Sequence, residues 1–180
     1  FNLFENMKKH IISNERLTLI EIDKIISYSY TLELSESANE SIVKCREYLD
    51  QKVKDQQKPI YGVTTGFGSL CDTNISEKDL GKLQENLMTS HACGMGEIIS
   101  VDIVKIMLLL KIQSLSYGHS GVQLSTVQRL IDMFNNDVYP LVYEQGSLGA
   151  SGDLVPLAHL CLPIIGLGEV LYKGEVLSGK

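Results

Sequence analysis

At 180 residues the chain is long enough to bury a core as one domain or one and a half. Hydrophobic content of 44% and charged content of 21% are those of an ordinary soluble globular protein. A net charge of −6 with no basic stripe argues against nucleic acid or an anionic membrane as the main partner, and the longest apolar run, Ile106 to Leu110, is far too short to cross a bilayer.

In chain order, Thr18 and Glu21 form a capping box that predicts a helix from there to about Tyr28, with Leu19, Ile22 and Ile26 inward. Ser35 offers a second cap. After it Ala38, Ile42, Cys45, Leu49 and Val53 recur every three or four residues, the mark of an amphipathic helix whose other face carries Glu40, Lys44, Glu47 and Lys54. Lys52 to Lys58 is polar, and Pro59 forbids the helix from continuing. Ile60 to Val63 reads as a brief strand or extended segment, and Thr64 to Asp72 as a mobile loop with Gly66 and Gly68 around Phe67. The loop is not a phosphate-binding GxGxxG, because Cys71 stands where the third glycine would fall and no helix opens at once.

Ser76 with Asp79 starts a third helix, with Leu80, Leu83 and Leu87 as its buried stripe and Gly94 as its stop. Asp102 to Tyr117 is apolar nearly all round (Ile103, Ile106, Met107, Leu109, Leu110, Leu115), which predicts a helix at the centre of a bundle. Val122 to Phe134 predicts another, facing inward through Val127, Leu130, Ile131 and Phe134. Pro140 ends any extension. Leu154 to Leu162 is a short apolar segment, and Glu169 to Leu177 reads as a hairpin turning at Lys173-Gly174. The class is mainly α with minor β, divided into a helical region over about residues 1–100 and the start of a central helical region over 101–180. Cys45, Cys71, Cys93 and Cys161 lack CxxC spacing and read as reduced, mostly packed thiols of a cytoplasmic protein. His10, His119 and His159 have no metal-ligand spacing and are assigned no ligand role; no metal is expected.

Between the last two helices lies Gly146-Ser147-Leu148-Gly149-Ala150-Ser151-Gly152-Asp153. Such a stretch is a poor helix or strand, because glycine loses the most backbone entropy on ordering. One reading is a tight turn before a helix beginning near Leu154. The other is chemical: the amide nitrogen of Gly152, unobstructed by a Cβ, attacks the carbonyl carbon of Ala150, and Ser151 loses its hydroxyl as water. The product is an electrophile that no unmodified side chain supplies.

The segment from Gly146 to His159 closely resembles the signature of the aromatic amino acid ammonia-lyases, a family of histidine, phenylalanine and tyrosine ammonia-lyases and related aminomutases. Tyr61-Gly62-Val63-Thr64-Thr65-Gly66-Phe67-Gly68 resembles a second hallmark of that family, and the likeness runs from about Leu17 to the last residue. The resemblance implies that Ala150, Ser151 and Gly152 mature autocatalytically into 4-methylideneimidazol-5-one (MIO), with no external cofactor. It implies a fumarase/aspartase-like long-helix bundle, and a homotetramer whose sites form between subunits. Tyr61 is implied as the base for the β-proton. A tyrosine with an ordinary pKa near 10 needs donors or positive charge to serve near neutral pH.

Ser90-His91-Ala92-Cys93-Gly94 resembles the histidine-specific branch, which implies that His91 faces the substrate ring, one imidazole donating while the other accepts. The expected reaction is L-histidine to trans-urocanate and ammonia. Gln123 departs from the arginine that many members carry near Gly118-His119-Ser120-Gly121, which loosens the subgroup assignment. A tyrosine or phenylalanine lyase, an aminomutase, and a non-catalytic helical assembly module remain as alternatives. Because members are much longer, the chain is expected to hold the first third or so of an enzyme, with Met7 as the native start. By itself it is expected to have little or no activity.

Overall fold

The computed structural model describes residues 8–55 and 59–180. Met7 and the end of the polar stretch, residues 56–58, lie outside them.

The segment Lys9–Ile12 (β1) pairs in parallel with Thr31–Leu34 (β2), in register from Lys9 opposite Thr31 to Ile12 opposite Leu34. Parallel strands need a crossover, and the helix Leu19–Ser27 (α1) provides it. The predicted capping box is present: Thr18 Oγ1 accepts the Glu21 N–H at 3.2 Å, and Glu21 Oε2 accepts the Thr18 N–H at 2.8 Å. Leu19 does not face inward as expected. It is 84% exposed, and Ile25 is the residue fully buried, flanked by half-buried Ile22 and Ile26. Periodicity names a helix face but not how far along it the neighbouring elements reach, and Leu19 sits in the first turn, ahead of that contact. The side-chain amide of Asn135 accepts the Leu32 N–H at 2.7 Å and donates to the Leu32 carbonyl at 2.9 Å, across the side of β2 away from β1.

Glu36–Asp55 (α2) is capped by Ser35, whose hydroxyl accepts the Ala38 N–H at 3.1 Å, and buries Ala38 and Ile42. Leu80–His91 (α3) follows a short 3₁₀ turn at Glu77–Asp79. Its stripe of Leu80, Leu83 and Leu87 lies where the pattern puts it but is only half covered, and no residue of α3 is buried. Met95–Ile98 (β3) then leads to Val101–Ser116 (α4), the centre of the molecule. Val104, Leu108, Leu109 and Ile112 of α4 meet Val127, Leu130, Ile131 and Phe134 of Leu124–Asn135 (α5), all at 2% exposure or less. Each such apolar side chain contributes about 1.5–3 kcal/mol when fully buried.

α4 is not enclosed all round as its composition suggests, since Ile103 and Leu110 are 51% and 46% exposed. Polar residues take buried places instead, because each finds a partner. Gln113 Nε2 donates to the carbonyls of Ser13 and Glu15 at 2.9 and 3.0 Å, and the Ser116 hydroxyl donates to the Gln113 carbonyl at 2.7 Å.

Tyr139–Pro140 (β4) pairs with Glu169–Tyr172 (β6), which pairs with Glu175–Ser178 (β7) in the predicted hairpin. Lys173 and Gly174 both have positive φ (50° and 84°), as a two-residue turn matched to strand twist requires. Tyr143–Gln145 (β5) pairs antiparallel with β3, and Leu154–Cys161 (α6) lies against α3. The whole is mainly α with minor β, as expected.

Candidate active site

Tyr61 does not lie in a strand. Ile60 to Thr64 is a turn in which the Val63 and Thr64 N–H groups donate to the Ile60 carbonyl at 3.1 and 2.9 Å. Gly62 takes φ +70°, and a Cβ there would lie 3.0 Å from the Phe67 ring, so a short run of β-type composition is overruled by one left-handed residue. The loop that follows is pinned by its own backbone. Gly66 N–H donates to the Thr73 carbonyl at 3.2 Å, Ile75 N–H to the Thr64 carbonyl at 3.0 Å, and Thr65 is buried with its hydroxyl donating to the Gly66 carbonyl at 2.9 Å. This geometry returns the Gly68 N–H to the phenolic oxygen of Tyr61 at 3.3 Å and sets the Phe67 ring edge-on to Tyr61, 6.0 Å between centroids. An N–H aimed at that oxygen stays satisfied when the phenol proton leaves.

His91 is the last residue of α3. Its Nδ1 stands 2.8 Å from the Leu87 carbonyl, which can only accept, so Nδ1 is the donor, and in the neutral tautomer Nε2 keeps its lone pair. Tyr61 and Phe67 from the loop, Leu87 and His91 from α3, and Leu157 and Cys161 from α6 line one cavity of about 640 Å³. That volume is in the range of small-molecule sites, and its apolar walls with two polar tips suit a planar ring. Burial pushes the Cys161 thiol pKa up, with Lys111 opposing weakly, so this residue is a neutral wall of the cavity.

The triplet is a tight turn on the surface. Gly149–Ser151 is one 3₁₀ turn, in which Ser151 N–H and Oγ–H both donate to the Leu148 carbonyl (2.9 and 2.7 Å) and Gly152 N–H donates to the Gly149 carbonyl at 3.1 Å. Gly152 and Asp153 are consecutive left-handed residues (φ +85° and +56°), and the Asp153 carboxylate accepts the Ser147 hydroxyl. The residues are of the kind the ring needs: the triplet closes a single tight turn, and Gly152 takes a φ of +85° that its lack of a Cβ permits. The fold does not place the triplet in the cavity of Tyr61 and His91. Gly152 lines an adjacent one of about 500 Å³ with Lys111, Tyr143 and Asp153, and Leu157 borders both.

Sequence reasoning gave no role to Phe67, Leu157, Cys161 or His159. Phe67 was visible as an aromatic between glycines. The α6 residues become neighbours of Tyr61 and His91 only through the α3–α6 packing, which no local pattern announces. Among the described residues no cluster of His, Cys, Asp and Glu could hold a metal ion, and no helix is long and apolar enough to cross a membrane. All four cysteines are free; Cys45 and Cys161 are half-buried, but Cys71 and Cys93 are exposed and not packed as expected, because they sit in a surface loop and just past the end of α3.

A sequence model of a family described as aromatic amino acid lyase matches residues 17–180. Histidine ammonia-lyase of Clostridium tetani (strain Massachusetts / E88) is 48% identical over 176 residues, covering 98% of this chain and 34% of its own length. Among solved structures, ergothionase of Treponema denticola, an ergothioneine-degrading enzyme, superposes with a TM-score of 0.91 at 26% identity over 96% of this chain and 34% of its own. Histidine ammonia-lyase of Trypanosoma cruzi does so at 0.83 with 34% identity, over 94% of this chain and 33% of its own. The chain thus spans about a third of the length of the relatives it matches.

Proposed function

This chain belongs to the aromatic amino acid lyase family, and from that premise we propose that the protein is an ammonia-lyase converting L-histidine to trans-urocanate and ammonia. Tyr61 serves as the base for the β-proton, His91 holds the substrate ring, and Ala150, Ser151 and Gly152 supply MIO. The observation that carries this reading is that Tyr61 and His91, thirty residues apart, line one cavity together with the helix that leaves the triplet. The 48% identity to a histidine ammonia-lyase over nearly the whole chain supports the choice of substrate. The same reading carries a cytoplasmic homotetramer.

The geometry supports this division of labour. His91, protonated at Nδ1 by its bond to Leu87, offers Nε2 as an acceptor to a ring N–H, which imidazole has and a phenyl ring lacks. Tyr61 keeps the Gly68 N–H on its oxygen while it takes a proton. Phe67 and Leu157 offer apolar surfaces to the ring's faces. The matured triplet, when formed, is an electrophile that makes the amino nitrogen a better leaving group.

Intact mass and a urocanate assay on the whole protein test this together. The expected mass is short by two waters, with histidine consumed and tyrosine and phenylalanine left. Tyr61→Phe keeps that mass deficit and loses roughly 10²–10⁴ in turnover. A full linear mass in a protein that deaminates histidine at full rate would falsify the role of the triplet.

A further inference from the structure

α6 faces two ways. Leu157, Ala158 and Cys161 line the cavity of Tyr61 and His91, whereas His159 lines a separate cavity of about 120 Å³ with Tyr143 of β5 and Glu169 of β6. His159 Nε2 accepts the N–H of Gly94 at 3.0 Å. Gly94 stands three residues beyond His91, and the connecting residues are themselves bonded: Ala92 N–H to the Met88 carbonyl at 3.1 Å and Cys93 N–H to the His91 carbonyl at 2.9 Å.

The backbone at Gly94 is gripped from three sides. A Cβ there would lie 3.0 Å from His159 Nε2 and 3.1 Å from Tyr143 Cβ. Gly146, at the entry to the triplet's loop, comes so near that its own Cβ would lie 3.4 Å from the Gly94 Cα. Tyr143 in turn sets its ring edge-on to His159, 5.1 Å between centroids. One peptide group therefore joins the end of α3, strand β5, the loop before the triplet and the helix after it.

We propose that His159 is a positioning residue. As a neutral imidazole it ties the segment that carries His91 to the helix that follows the triplet, and so fixes the spacing between ring recognition and electrophile. The positioning role rests on the ammonia-lyase reading; the tie itself does not. A lone pair on Nε2 is required, because protonation there sets a donor against the Gly94 N–H and breaks the bond. Burial holds His159 below the ordinary histidine range, with no charged neighbour contributing. The titratable groups that share its cavity are Tyr143 from β5 and Glu169 from β6. The tie thus holds at neutral pH and opens as the pH falls.

Nuclear magnetic resonance of the full chain, titrated from about pH 8 to about pH 5, tests the tie without any turnover. The Gly94 amide is expected to shift with the same midpoint as the His159 ring protons, and its solvent exchange to rise on the order of tenfold beyond the ordinary pH dependence. His159→Gln, whose amide oxygen accepts at every pH, keeps Gly94 protected throughout, and His159→Phe loses protection at every pH. A Gly94 amide indifferent to His159 protonation, or equally protected in the Phe variant, overturns the tie; the unsubstituted chain decides alone if a variant does not fold. In the whole enzyme, the acid limb of kcat/KM moves to lower pH in His159→Gln. An unmoved limb overturns the positioning role. Absence of ammonia release from histidine, tyrosine and phenylalanine at any pH rejects the lyase reading and the positioning role with it, leaving the amide titration to judge the tie.

Discussion

The α4–α5 pair and the shell around the candidate site are built by different means. In the first, eight apolar side chains from two helices are sealed at 2% exposure or less, and position follows from packing. In the second, α3 has no buried residue, and the loop from Tyr61 to Ile75 is held by main-chain bonds and one buried threonine. A core can be closed because nothing has to enter it. A site that takes a ring must leave leucines half covered and fix its backbone by hydrogen bonds instead.

The largest test of that contrast is Phe134→Ala, which empties a sealed position and is expected to cost about 3–5 kcal/mol in urea unfolding. Gly118→Ala comes next, at about 2–3 kcal/mol, because φ is +69° and the new Cβ would meet the Ser41 carbonyl oxygen at 2.6 Å. Leu87→Ala, in the half-covered stripe of α3, is expected to cost only about 1 kcal/mol in stability while weakening ligand binding in the cavity it lines. A cost equal to that of Phe134→Ala would erase the distinction. Thr18→Ala removes the capping box for about 0.5–1 kcal/mol, whereas Leu19→Ser at the next position is expected to change stability by under about 0.5 kcal/mol.

The smallest effect is with pH. Burial holds His10 below its ordinary range, against the opposing charge of Glu21, and holds His159 there as well. The unfolded chain then binds more protons than the folded one as acid is added. The contribution of these two histidines is fully present above about pH 6.5 and is lost as the pH falls through their folded values. Urea midpoints measured across that window are expected to decline toward acid, less steeply in His159→Gln.

How much of this was legible from residue order depends on the range of the interaction. The Thr18–Glu21 box, the α2 stripe and the Lys173-Gly174 hairpin each rest on neighbours within four positions, and each is present. The burial of Ile25 over Leu19 depends on where another element ends. The turn at Tyr61 depends on one glycine's φ outweighing the β character of Ile60 and Val63. The bond from Gly94 to His159 spans 65 positions, so a histidine with no metal-ligand spacing looked idle. Tyr61, His91 and the triplet were named from motifs. That the first two share a cavity and the third borders the next one depends on how the Tyr61 loop, α3 and α6 pack together.

The amide of Asn135 has a consequence beyond the core. A two-stranded parallel sheet offers its outer main-chain groups to any extended peptide, and such rims seed aggregation. At Leu32 both groups are already taken, by a side chain that imitates a third strand in donor and acceptor alike. The last turn of α5 therefore stoppers the rim of β2 at Leu32, where a foreign strand finds both main-chain groups already bonded.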